Sequence, residues 1–536
     1  DHRFIAPDRA DRYCGGHLQG LCLERQAHRG ELNRMTTIAP EISDIRIYQK
    51  LGRVDTKSLE TVDQLLLLLP AKPRKSDFSR IPQGAKLQAV LRKHKPGSTP
   101  AFTSRLANSK QTLVVAGTIA ADASAFEQLT LGRKLVAAAT TQKAGSLGIC
   151  AVGFKTDDQA RIISNVLAAA LAAAAPLPAF KTEKAPARIR TIRLLGLDDT
   201  LDTHRTTAEA KGNNLARWLT TMPPNMLDAR QYADLVKTLA KDFDWQYKRY
   251  GTKELQQLGA GAFLAVAQGN ENDSAGIVRL RYRPESKTAA ADLSLVGKGI
   301  IFDTGGTNLK PFSSMLDMHG DMQGSAVALG TLLAIAELKL PIAVDCWLAL
   351  TENRTGPQAY KSQDVVTAAN GKTIQTIHTD AEGRMALADT LVLASREQPG
   401  MIFDYATLTG TCISAVTTRY SGVFTNRVEL HPRLKRAGQD CGERVWPFPI
   451  GKEFLEELKS STADLKQCSP KGVGDHILAA SFLAEFVEND VPWVHMDLSA
   501  GDNEDGLGHI ASKFTGFGVR YTISAILDEK LLEAKL

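Results

Sequence analysis

Two carboxylates and an arginine are closely spaced in the segment IHTDAEGR, residues 377–384. Asp380 and Glu382 are separated by one residue, Arg384 follows, and the segment stands between an apolar run and a stretch typical of a helix. A solvated turn would explain one acidic octapeptide. A metal site would also explain it, provided that other parts of the chain supply partners for the carboxylates.

Further charged residues stand in a glycine-rich context earlier in the same half of the chain. The stretch VGKGIIFDTGGTNLKP contributes Lys298, Asp303 and Lys310, and MLDMHGDMQG adds Asp321. Glycines in these stretches allow tight turns and the close approach of a ligand. The GxxxxGK[ST] pattern of a phosphate loop is absent from the sequence.

Divalent metal chemistry would explain why these carboxylates occur together, because carboxylates without a local excess of arginine repel each other unless a cation lies between them. Oxygen-rich clusters suit Mg²⁺, Mn²⁺ or, with one nitrogen ligand, Zn²⁺. Two ions about 3.5–4 Å apart could share a water and polarise a carbonyl. A lysine ligand would need a strongly depressed pKa. Taken singly, each residue is better explained by a cap or an ion pair, and Asp321 could simply cap its helix.

The elements that would position these residues follow a repeated pattern. Apolar strands are predicted at ADLSLVGKGIIF, LPIAVDCWLAL and MIFDYATLTG, and buried helices at MQGSAVALGTLLAIAELK and, starting at Met385, at MALADTLVLASRE. Apolar strands alternating with buried helices predict a largely parallel sheet covered on both faces. Ligands of such sheets bind beyond the carboxyl ends of the strands, where the candidate residues fall in sequence.

The first half of the chain predicts a separate α/β domain, residues 41–200, followed by a catalytic domain, residues 201–536. Short β-like runs at 112–119, 146–154 and 189–197 alternate with helical ones, which is typical of a three-layer domain. The polar stretch LDDTLDTHRTTAEAKGN is predicted to be the connector, and the helix NNLARWLTTM follows it.

Residues 1–40 are predicted to be a disordered leader. The first 34 residues contain no apolar h-region, which argues against a secretory signal. Their arginines leave an organellar transit peptide open, whereas their acidic residues count against one. The expected compartment is the cytoplasm, with a mitochondrion or another organelle as the alternative if the leader is a transit peptide.

The composition is that of an ordinary globular protein, with 43% hydrophobic and 23% charged residues. The net charge of +6 is not concentrated in a run of like charges, so nucleic-acid binding is not indicated. The seven cysteines are scattered without a CxxC pair, which argues against a disulfide framework and fits a reducing compartment. The alanine-rich tract NVLAAALAAAAPLPAF is too short for a bilayer span, so no membrane association is expected.

Several motifs resemble, in order and spacing, the M17 leucyl (cytosol) aminopeptidases. They are VGKGIIFDTGG, DMQGSAVALG, TENRTGPQAYKSQDVV, TDAEGRMALADTL, DYATLTG and TGFGVR, together with NNLARWLTTMPPN. The resemblance covers about residues 210–525. It implies an α/β fold with a macro-domain-like N-terminal domain and an α/β/α catalytic domain around a central, mostly parallel sheet.

The resemblance also implies a two-metal site. The divalent ions, Zn²⁺ and/or Mn²⁺ with Mg²⁺ or Co²⁺ as alternatives, would bind to five residues: Lys298, Asp303, Asp321, Asp380 and Glu382. Lys310 would polarise the scissile carbonyl and stabilise the developing oxyanion. Arg384 would hold a bicarbonate ion that shuttles a proton from the bridging water. The free α-amino group of the substrate would bind one metal near Asp321.

The same resemblance implies a substrate pocket beside the metals. The backbone of Leu408 would hydrogen-bond the tetrahedral intermediate, and Met318, Thr407 and Gly410 would line an apolar S1 pocket. His378 is a departure, since the family usually has asparagine there. We expect it in the pocket wall, with an additional metal-linked role as the less favoured alternative.

The sequence therefore predicts a metal-dependent aminopeptidase that removes leucine-like N-terminal residues from peptides. By resemblance it would be a homohexamer of two trimers whose active sites face an interior cavity. One alternative is a catalytically modified family member that binds nucleic acid or acts as a scaffold, but every expected ligand is present. A two-metal phosphatase is a second alternative, against which the TLTG segment and the apolar surroundings of Met318 favour a peptide side chain.

Overall fold

A computed structural model of the chain describes residues 45–94, 97–141, 145–182, 188–270, 273–284 and 290–533. The predicted leader, residues 1–40, lies outside the described residues. All described residues belong to a single packing unit. The predicted boundary near residue 200 falls between two sheets, and the division into two domains stays a prediction.

The first sheet is built from strands before residue 200. These strands are β1 (Arg46–Leu51), β2 (Gln64–Pro70), β3 (Phe102–Arg105), β4 (Leu113–Ile119), β5 (Ser146–Ala151) and β6 (Thr191–Leu197). Among the described residues the sheet has six strands in the order β1-β6-β5-β2-β4-β3, and its neighbours are parallel except for β3 with β4. The strands predicted at 112–119, 146–154 and 189–197 correspond to β4, β5 and β6.

Helices cover both faces of this sheet. They are α1 (Thr56–Leu59), α2 (Lys75–Phe78), α3 (Gly84–Lys93), α4 (Ala125–Ala139) and α5 (Thr156–Ala174). Leu66 and Leu68 of β2 pack with α4 and α5, whereas Leu65 and Leu67 pack on the other face with Phe78. Successive residues of β2 therefore face two cores, which explains its unbroken run of leucines. No helix in the described part of the chain is long and apolar enough to cross a membrane.

The predicted connector between the two halves is wrong in its second part. Helix α6 (His204–Thr221) already begins at residue 204, within the stretch predicted to be an irregular linker. Two of its polar residues are buried and hydrogen-bonded: Glu209 accepts from Arg205, and Asn213 donates to the carbonyl of Thr515. The polar composition of this segment therefore did not indicate an exposed linker, because partners elsewhere in the fold satisfy the hydrogen-bonding groups of these two side chains.

The remaining strands lie after residue 240. They are β7 (Gln246–Gly251), β8 (Gly276–Tyr282), β9 (Leu293–Asp303), β10 (Val344–Asn353), β11 (Val365–Thr367), β12 (Thr373–Gln375), β13 (Ile402–Ala406), β14 (Ser421–Thr425), β15 (Val445–Pro447), β16 (Leu465–Lys466) and β17 (Trp493–Asp497). Within the described residues, β11, β12 and β16 form a small three-stranded sheet, and the other eight form the large one in the order β15-β14-β17-β13-β9-β10-β8-β7.

The centre of the large sheet is parallel. Strands β17, β13, β9 and β10 run in one direction, and antiparallel strands β14 and β8 flank them. Leu293 and Leu295 of β9 belong to one hydrophobic core, while Val296 and Ile300 belong to the core on the opposite face. The predicted α/β/α arrangement around a mostly parallel sheet is confirmed.

Helices of the second half supply much of both cores, above all α6 and the longer helices named here. The helices after α6 are α7 (Ala229–Asp242), α8 (Thr252–Gln257), α9 (Gly261–Ala267), α10 (Phe312–Met315), α11 (Gln323–Glu337), α12 (Glu382–Arg396), α13 (Gly410–Val416), α14 (His431–Cys441), α15 (Lys452–Leu455), α16 (Asp475–Ala484) and α17 (Val519–Leu527), of which α10 and α15 are short and have no buried residue. Short 3-10 turns lie at Met318–Gly320, Thr417–Arg419, Val428–Leu430, Glu456–Leu458 and Leu531–Glu533.

Helices α6 and α11 cross with their backbones in contact. A Cβ atom added at Gly212 would lie 2.2 Å from the carbonyl oxygen of Gly330, and one at Gly330 would lie 2.4 Å from the carbonyl oxygen of Gly212. Neither position has room for a side chain. The start of α11 lies equally close to the sheet, since a Cβ at Gly324 would lie 2.0 Å from the carbonyl oxygen of Tyr405.

Arginines join the helices of the first sheet to the second half of the chain. Arg217 of α6 donates to the carbonyl of Ala172 at 3.1 Å, and Arg133 of α4 donates from Nε to the carbonyl of Gly508 at 3.1 Å. Arg217 is buried, and burial lowers its pKa to about 10. We name Arg133, Arg217 and these two carbonyls the arginine junction.

The carboxyl ends of the four central parallel strands carry polar residues. Asp303 is the last residue of β9, Asn353 of β10 and Asp497 of β17, while Thr407 directly follows β13. Because parallel strands end at the same edge of a sheet, these four residues stand side by side. The fold therefore sets a polar edge where ligands of α/β sheets bind.

Candidate active site

Three carboxylates form a compact cluster at this edge. Oxygens of Asp303, Asp380 and Glu382 all lie within 4.8 Å of one another, and Asp303 and Glu382 are buried. Helix α12 begins at Glu382, so Glu382 and Arg384 lie in its first turn, not in the turn that the sequence predicted before Met385. A helix N-terminus favours a nearby negative charge.

Lys298 forms ion pairs with two carboxylates, those of Asp321 and Glu382. It lies within β9, and its Nζ is 2.7 Å from Asp321 Oδ1 and 3.1 Å from Glu382 Oε1. The same Nζ donates to the carbonyl of Thr407 at 2.8 Å. Burial alone would lower the pKa of Lys298, but Asp321 and Glu382 outweigh it and raise the pKa. In this arrangement Lys298 is an ammonium, and its role as a neutral metal ligand stays a prediction.

Lys310 makes the matching contacts on the other side of the cluster. Its Nζ is 2.8 Å from Asp303 Oδ2 and 2.5 Å from Asp380 Oδ1. Lys310 follows β9 in the loop before α10, and the backbone N–H of Lys310 donates to the carbonyl of Thr304 at 2.9 Å. The loop therefore holds a cationic group beside the carboxylates.

The cluster carries more negative charge than the two lysines neutralise. Burial, and then the neighbouring Glu382 and Asp321, raise the pKa of Asp303 well above its usual range. Burial also raises the pKa of Asp321 to about 6, although Lys298 opposes this. Asp321 Oδ2 is buried and has no hydrogen-bond partner in the described chain. An unpaired buried oxygen and mutually repelling carboxylates fit a bound cation.

Asn353, which lies in the motif TENRTGPQAYKSQDVV, fixes the orientation of two carboxylates. Its Nδ2 donates to Asp303 Oδ1 at 2.8 Å, to Glu382 Oε2 at 3.3 Å and to the carbonyl of Thr379 at 3.0 Å. Asn353 is fully buried at the end of β10. The only signal for it in the sequence was the motif TENRTG.

Arg384 pairs with a residue that the sequence reasoning missed. Its Nη1 lies 3.0 Å from Asp475 Oδ1, its Nη2 lies 2.5 Å from Asp475 Oδ2, and Nη1 also donates to the carbonyl of Gln467 at 3.1 Å. Burial alone would lower the pKa of Arg384, but the Asp475 carboxylate outweighs it and raises the pKa. Asp475 is 91 positions away in sequence and belongs to none of the motifs.

His378 lies in the wall of the site, in a loop held by Gln467. The backbone N–H groups of Ile377 and His378 each donate to Gln467 Oε1 at 3.1 Å. The His378 Nδ1 accepts from the backbone N–H of Asp380 at 3.3 Å. Among the described residues, the cluster able to hold a metal contains the three carboxylates and not His378.

All of the predicted site residues line one cavity of about 820 Å³. It contains the six charged residues of the cluster, Arg384 and the predicted pocket residues, namely Lys298, Asp303, Lys310, Asp321, Asp380, Glu382, Arg384, Met318, His378, Thr407, Leu408 and Gly410. Asp475 and Asp497 line it as well. The structure thus brings together residues that are more than a hundred positions apart in sequence.

Asp497 organises the segment predicted to bind the substrate backbone. It accepts from the N–H of Leu408 at 3.2 Å and from Thr409 Oγ1 at 2.6 Å. Thr407 Oγ1 donates to Asp321 Oδ1 at 2.7 Å. Because the N–H of Leu408 already donates to Asp497, a hydrogen bond between the Leu408 backbone and a substrate would have to be accepted by the Leu408 carbonyl.

Comparisons with known proteins agree with this geometry. The model of the cytosol aminopeptidase family, catalytic domain, matches residues 214–523. A probable cytosol aminopeptidase of Synechococcus sp. (strain CC9605) is 36% identical over 446 residues, 82% of this chain and 90% of the relative. Another, from Synechococcus sp. (strain JA-3-3Ab), is 37% identical over 391 residues, 70% of this chain and 76% of the relative.

The fold has a counterpart among solved structures. A mutant of tomato leucine aminopeptidase superposes with a TM-score of 0.79 at 24% identity, covering 91% of this chain and 98% of that one. At this identity the likeness concerns the fold. The family match and the two relatives go further, and the chain therefore belongs to the cytosol aminopeptidase family of metal-dependent peptidases.

Proposed function

We propose that this protein removes the N-terminal residue from peptides, with leucine-like residues preferred, and that it uses two divalent metal ions. The observation that carries the proposal is the convergence of four carboxylates and two lysines at the carboxyl ends of the parallel strands. This complete set speaks against the alternative of a nucleic-acid-binding or scaffold protein that has lost its activity. The set is costly to the fold, since two lysines do not fully neutralise four closely spaced carboxylates.

The metal ligands would be the residues of the cluster: Lys298, Asp303, Asp321, Asp380 and Glu382. Zn²⁺ and Mn²⁺ are the favoured ions, and Mg²⁺ or Co²⁺ would suit the same oxygen-rich set. When bound, such ions lower the pKa of a water and polarise a carbonyl. Asn353 would keep two of the carboxylates in place by its hydrogen bonds to Asp303 and Glu382.

Lys310 would stabilise the oxyanion that forms on the scissile carbonyl. Burial opposes its charged form, but Asp303 and the other carboxylates raise the pKa of Lys310, so the ammonium is present at neutral pH. A preorganised positive charge in a partly buried site stabilises a developing negative charge more strongly than water does. Arg384 would bind the anion that carries a proton, for which bicarbonate is the candidate that the family resemblance implies.

The choice of an N-terminal residue is supported by Asp321 and by the apolar lining. Asp321 Oδ2 is buried and without a partner among the described residues, so it can accept a hydrogen bond from a free α-amino group. Met318, Leu408 and Ile413 line the same cavity and offer apolar surface to a leucine-like side chain. A phosphate group would gain no favourable contact from this apolar surface, which therefore favours a peptide over a phosphate ester.

The assembly and the compartment belong to the same proposal. We propose a homohexamer of two trimers, on the family resemblance, with the active sites facing an interior cavity. The relatives named cytosol aminopeptidase support a cytoplasmic location. The organellar alternative depends on residues 1–40, which lie outside the described residues.

The direct test is hydrolysis of leucine-4-methylcoumaryl-7-amide by the protein as purified, after chelation, and after adding back Mn²⁺, Co²⁺ or Zn²⁺. We expect activity that disappears with the chelator and returns with metal. N-acetyl-leucine-4-methylcoumaryl-7-amide is the matched control, since it lacks the free amine and should not be cleaved. No turnover with any of the metals, in a protein that binds them, would refute the proposal.

A further inference from the structure

The wall of the active-site cavity carries two aspartates that no step of the proposed reaction uses. Asp317 and Asp502 both line the cavity, and their side chains are 42% and 43% exposed. Asp317 directly precedes Met318, the residue that we place in the pocket for the N-terminal side chain of the substrate. We name Asp317 and Asp502 the acidic rim.

Phe514 connects the two members of the acidic rim. Its backbone forms an antiparallel bridge with that of Asp502. Its ring packs against the 3-10 turn that follows Asp317, since a Cβ at Gly320 would lie 2.7 Å from Phe514 Cε1. Phe514 and Met318 line the same cavity. The acidic rim therefore borders apolar side chains in the cavity wall.

A single lysine faces the carboxylates at this rim. Lys513 Nζ donates to Asp317 Oδ2 at 2.9 Å and also to Glu504, whereas Asp502 Oδ2 lies 3.8 Å from the same Nζ, beyond hydrogen-bond distance. Burial raises the pKa of Asp502, and Lys513 opposes this shift while Glu504 adds to it. Three carboxylates thus surround one ammonium group, and a second cation beside Asp502 would be stabilised.

Asp321 indicates how a substrate is oriented relative to the acidic rim. Its Oδ2 is buried without a hydrogen-bond partner among the described residues, and it is the acceptor that we propose for the free α-amino group. Asp317 and Asp321 flank the 3-10 turn Met318–Gly320. Such a turn rises about 2 Å per residue, so the two aspartates are separated by about 8 Å along it. This distance is comparable with the length of an extended lysine or arginine side chain.

The chemistry of this part of the wall matches those two side chains. Lysine and arginine combine an apolar stem with a terminal cation. With the α-amino group at Asp321, the stem would pack on Met318 and Phe514, and the cation would lie between Asp317 and Asp502. A leucine side chain is shorter and would contact only the apolar part of the wall.

We propose that Asp317 and Asp502 are specificity-determining residues, through which the protein also removes N-terminal lysine and arginine from peptides. The inference rests on the proposed aminopeptidase activity and extends its substrate class from leucine-like to basic residues. The metal cluster and Lys310 would act on these substrates as they do on leucyl peptides.

The test compares 4-methylcoumaryl-7-amides that differ in the charge of the side chain. Arginine is paired with citrulline, which has nearly the same shape and no charge, and lysine with Nε-acetyl-lysine. In the wild-type protein kcat/KM should be at least about threefold higher for the charged member of each pair. Asp502→Asn should lower this ratio by roughly three- to fivefold, the upper range for a partly exposed ion pair. Asp502→Lys should lower it further, because it adds a repelling charge.

Asp505→Asn is the matched control, since it removes a carboxylate from the same loop. Asp505 is exposed and does not line the cavity. The ratios of this variant should equal those of the wild type. Because each ratio is measured within one protein, a general loss of activity or of folded protein in a variant cancels.

Equal kcat/KM values for arginine and citrulline amides in the wild type would overturn the inference, as would an unchanged ratio in Asp502→Asn. In either case hydrolysis of the leucyl amide would leave the proposed function intact. A wild-type protein that cleaves none of the amides with any metal would refute both the proposed function and this extension of it, so the two failures can be distinguished.

Discussion

Lys310 is the residue whose loss should separate chemistry from folding most clearly. Its Nζ contacts Asp303 and Asp380, and its side chain is 13% exposed. Lys310→Ala should lower turnover of a leucyl amide by roughly 10²–10³-fold, the cost of removing one preorganised oxyanion donor. Metal content and assembly should be retained, because removing a cation leaves the carboxylates free for the metal.

Lys361→Ala is the control for this substitution, since Lys361 is exposed and pairs only locally, with Asp364 at 3.2 Å. It should behave as the wild type does. Loss of the proposed hexamer in Lys310→Ala, measured by light scattering, would mean that the charge of Lys310 is structural and not catalytic.

The acidic cluster should make the protein depend on metal for stability as well as for activity. Oxygens of Asp303, Asp380 and Glu382 lie within 4.8 Å of one another, and burial and the neighbouring carboxylates raise the pKa of Asp303 well above its usual range. Chelation should lower the melting temperature, since a ligand present at a thousand times its Kd stabilises by about 4 kcal/mol. In Asp303→Asn, adding metal back should restore less of this loss. Asp490 pairs with Arg427 at 3.0 Å outside the cavity lining, and Asp490→Asn should respond as the wild type does. A melting temperature that is the same with and without chelator would contradict this prediction.

At the residue scale the motifs predicted which residues line the site, but not the hydrogen bonds and ion pairs that hold them in place. All the predicted side chains line one cavity, because the spacing of the motifs along alternating strands and helices puts them at one edge of a sheet. Asp475 could not be predicted, since a pair that is 91 positions apart leaves no local pattern. The same holds for Asp497, whose bonds to Leu408 and Thr409 depend on the adjacency of β17 and β13.

Among the elements, the crossing of α6 and α11 leaves no room for a side chain at Gly330. A Cβ at Gly330 would lie 2.4 Å from the carbonyl oxygen of Gly212, so the two helices would have to separate. Gly330→Ala should lower the free energy of unfolding by roughly 1–3 kcal/mol, the usual cost of overpacking, measured by denaturant titration. In Gly356→Ala the new methyl group meets no atom within 4 Å, and no comparable loss is expected. Since alanine is the better helix former by about 1 kcal/mol, a stabilised Gly330→Ala would show that the crossing yields easily.

Helix α17 should give the protein a component of pH-dependent stability. Glu443 is buried at its start, where Oε2 accepts from the N–H groups of Gly518 and Tyr521, at 3.0 and 2.8 Å. Burial raises the pKa of Glu443 to about 7 from 4.5, although these N–H groups oppose the shift. The folded state therefore binds a proton more tightly than the unfolded state between about pH 4.5 and 7.

In that window the contribution of Glu443 to stability is lost as the pH rises, by up to about 1.4 kcal/mol per pH unit, and it is constant below and above it. Glu443→Gln can still accept both N–H bonds and cannot ionise. Its melting temperature relative to the wild type should therefore increase as the pH is raised from 5 to 8. A constant difference over this range would show that Glu443 does not titrate there.

The strands and helices that were predicted in the second half have the predicted type, whereas two of the helix starts differ. Helix α12 begins at Glu382 and α6 at His204, both earlier than predicted. In each case the first turn is rich in polar residues, which in an isolated sequence indicates a loop. The structure pairs Arg384 with Asp475 in one helix and Arg205 with Asp528 in the other. Periodicity within a segment carries no record of such partners.

For the molecule as a whole, the arginine junction should contribute to stability without affecting catalysis. Arg217 donates to the carbonyl of Ala172, to Ser512 Oγ and to Asn214 Oδ1 at 3.1, 3.0 and 2.9 Å. Arg217→Met should lower the free energy of unfolding by roughly 1–3 kcal/mol, because buried acceptors lose a charged donor. The turnover number per folded protein should stay unchanged, since Arg217 does not line the cavity.

Arg161→Met is the matched control for the junction. Arg161 also donates to main-chain carbonyls, those of Ala121 and Ala123, but it does so within the first half of the chain and is half-exposed. Its loss should cost less. If Arg217→Met lost turnover in proportion to stability, the first half of the chain would be shaping the active site.

The existence of two α/β parts was predictable from the alternation of strands and helices, but their junction was not. Its acceptors at Ala172 and Gly508 are backbone carbonyls, which every sequence possesses, so no residue type marks them. This has an evolutionary consequence. Side chains around Ala172 in the first half can change by mutation while the carbonyl oxygen that accepts from Arg217 stays in place. On this side of the junction the first half can therefore diverge in sequence and keep its contact with the catalytic half, whereas Arg133 has to be conserved for the second contact.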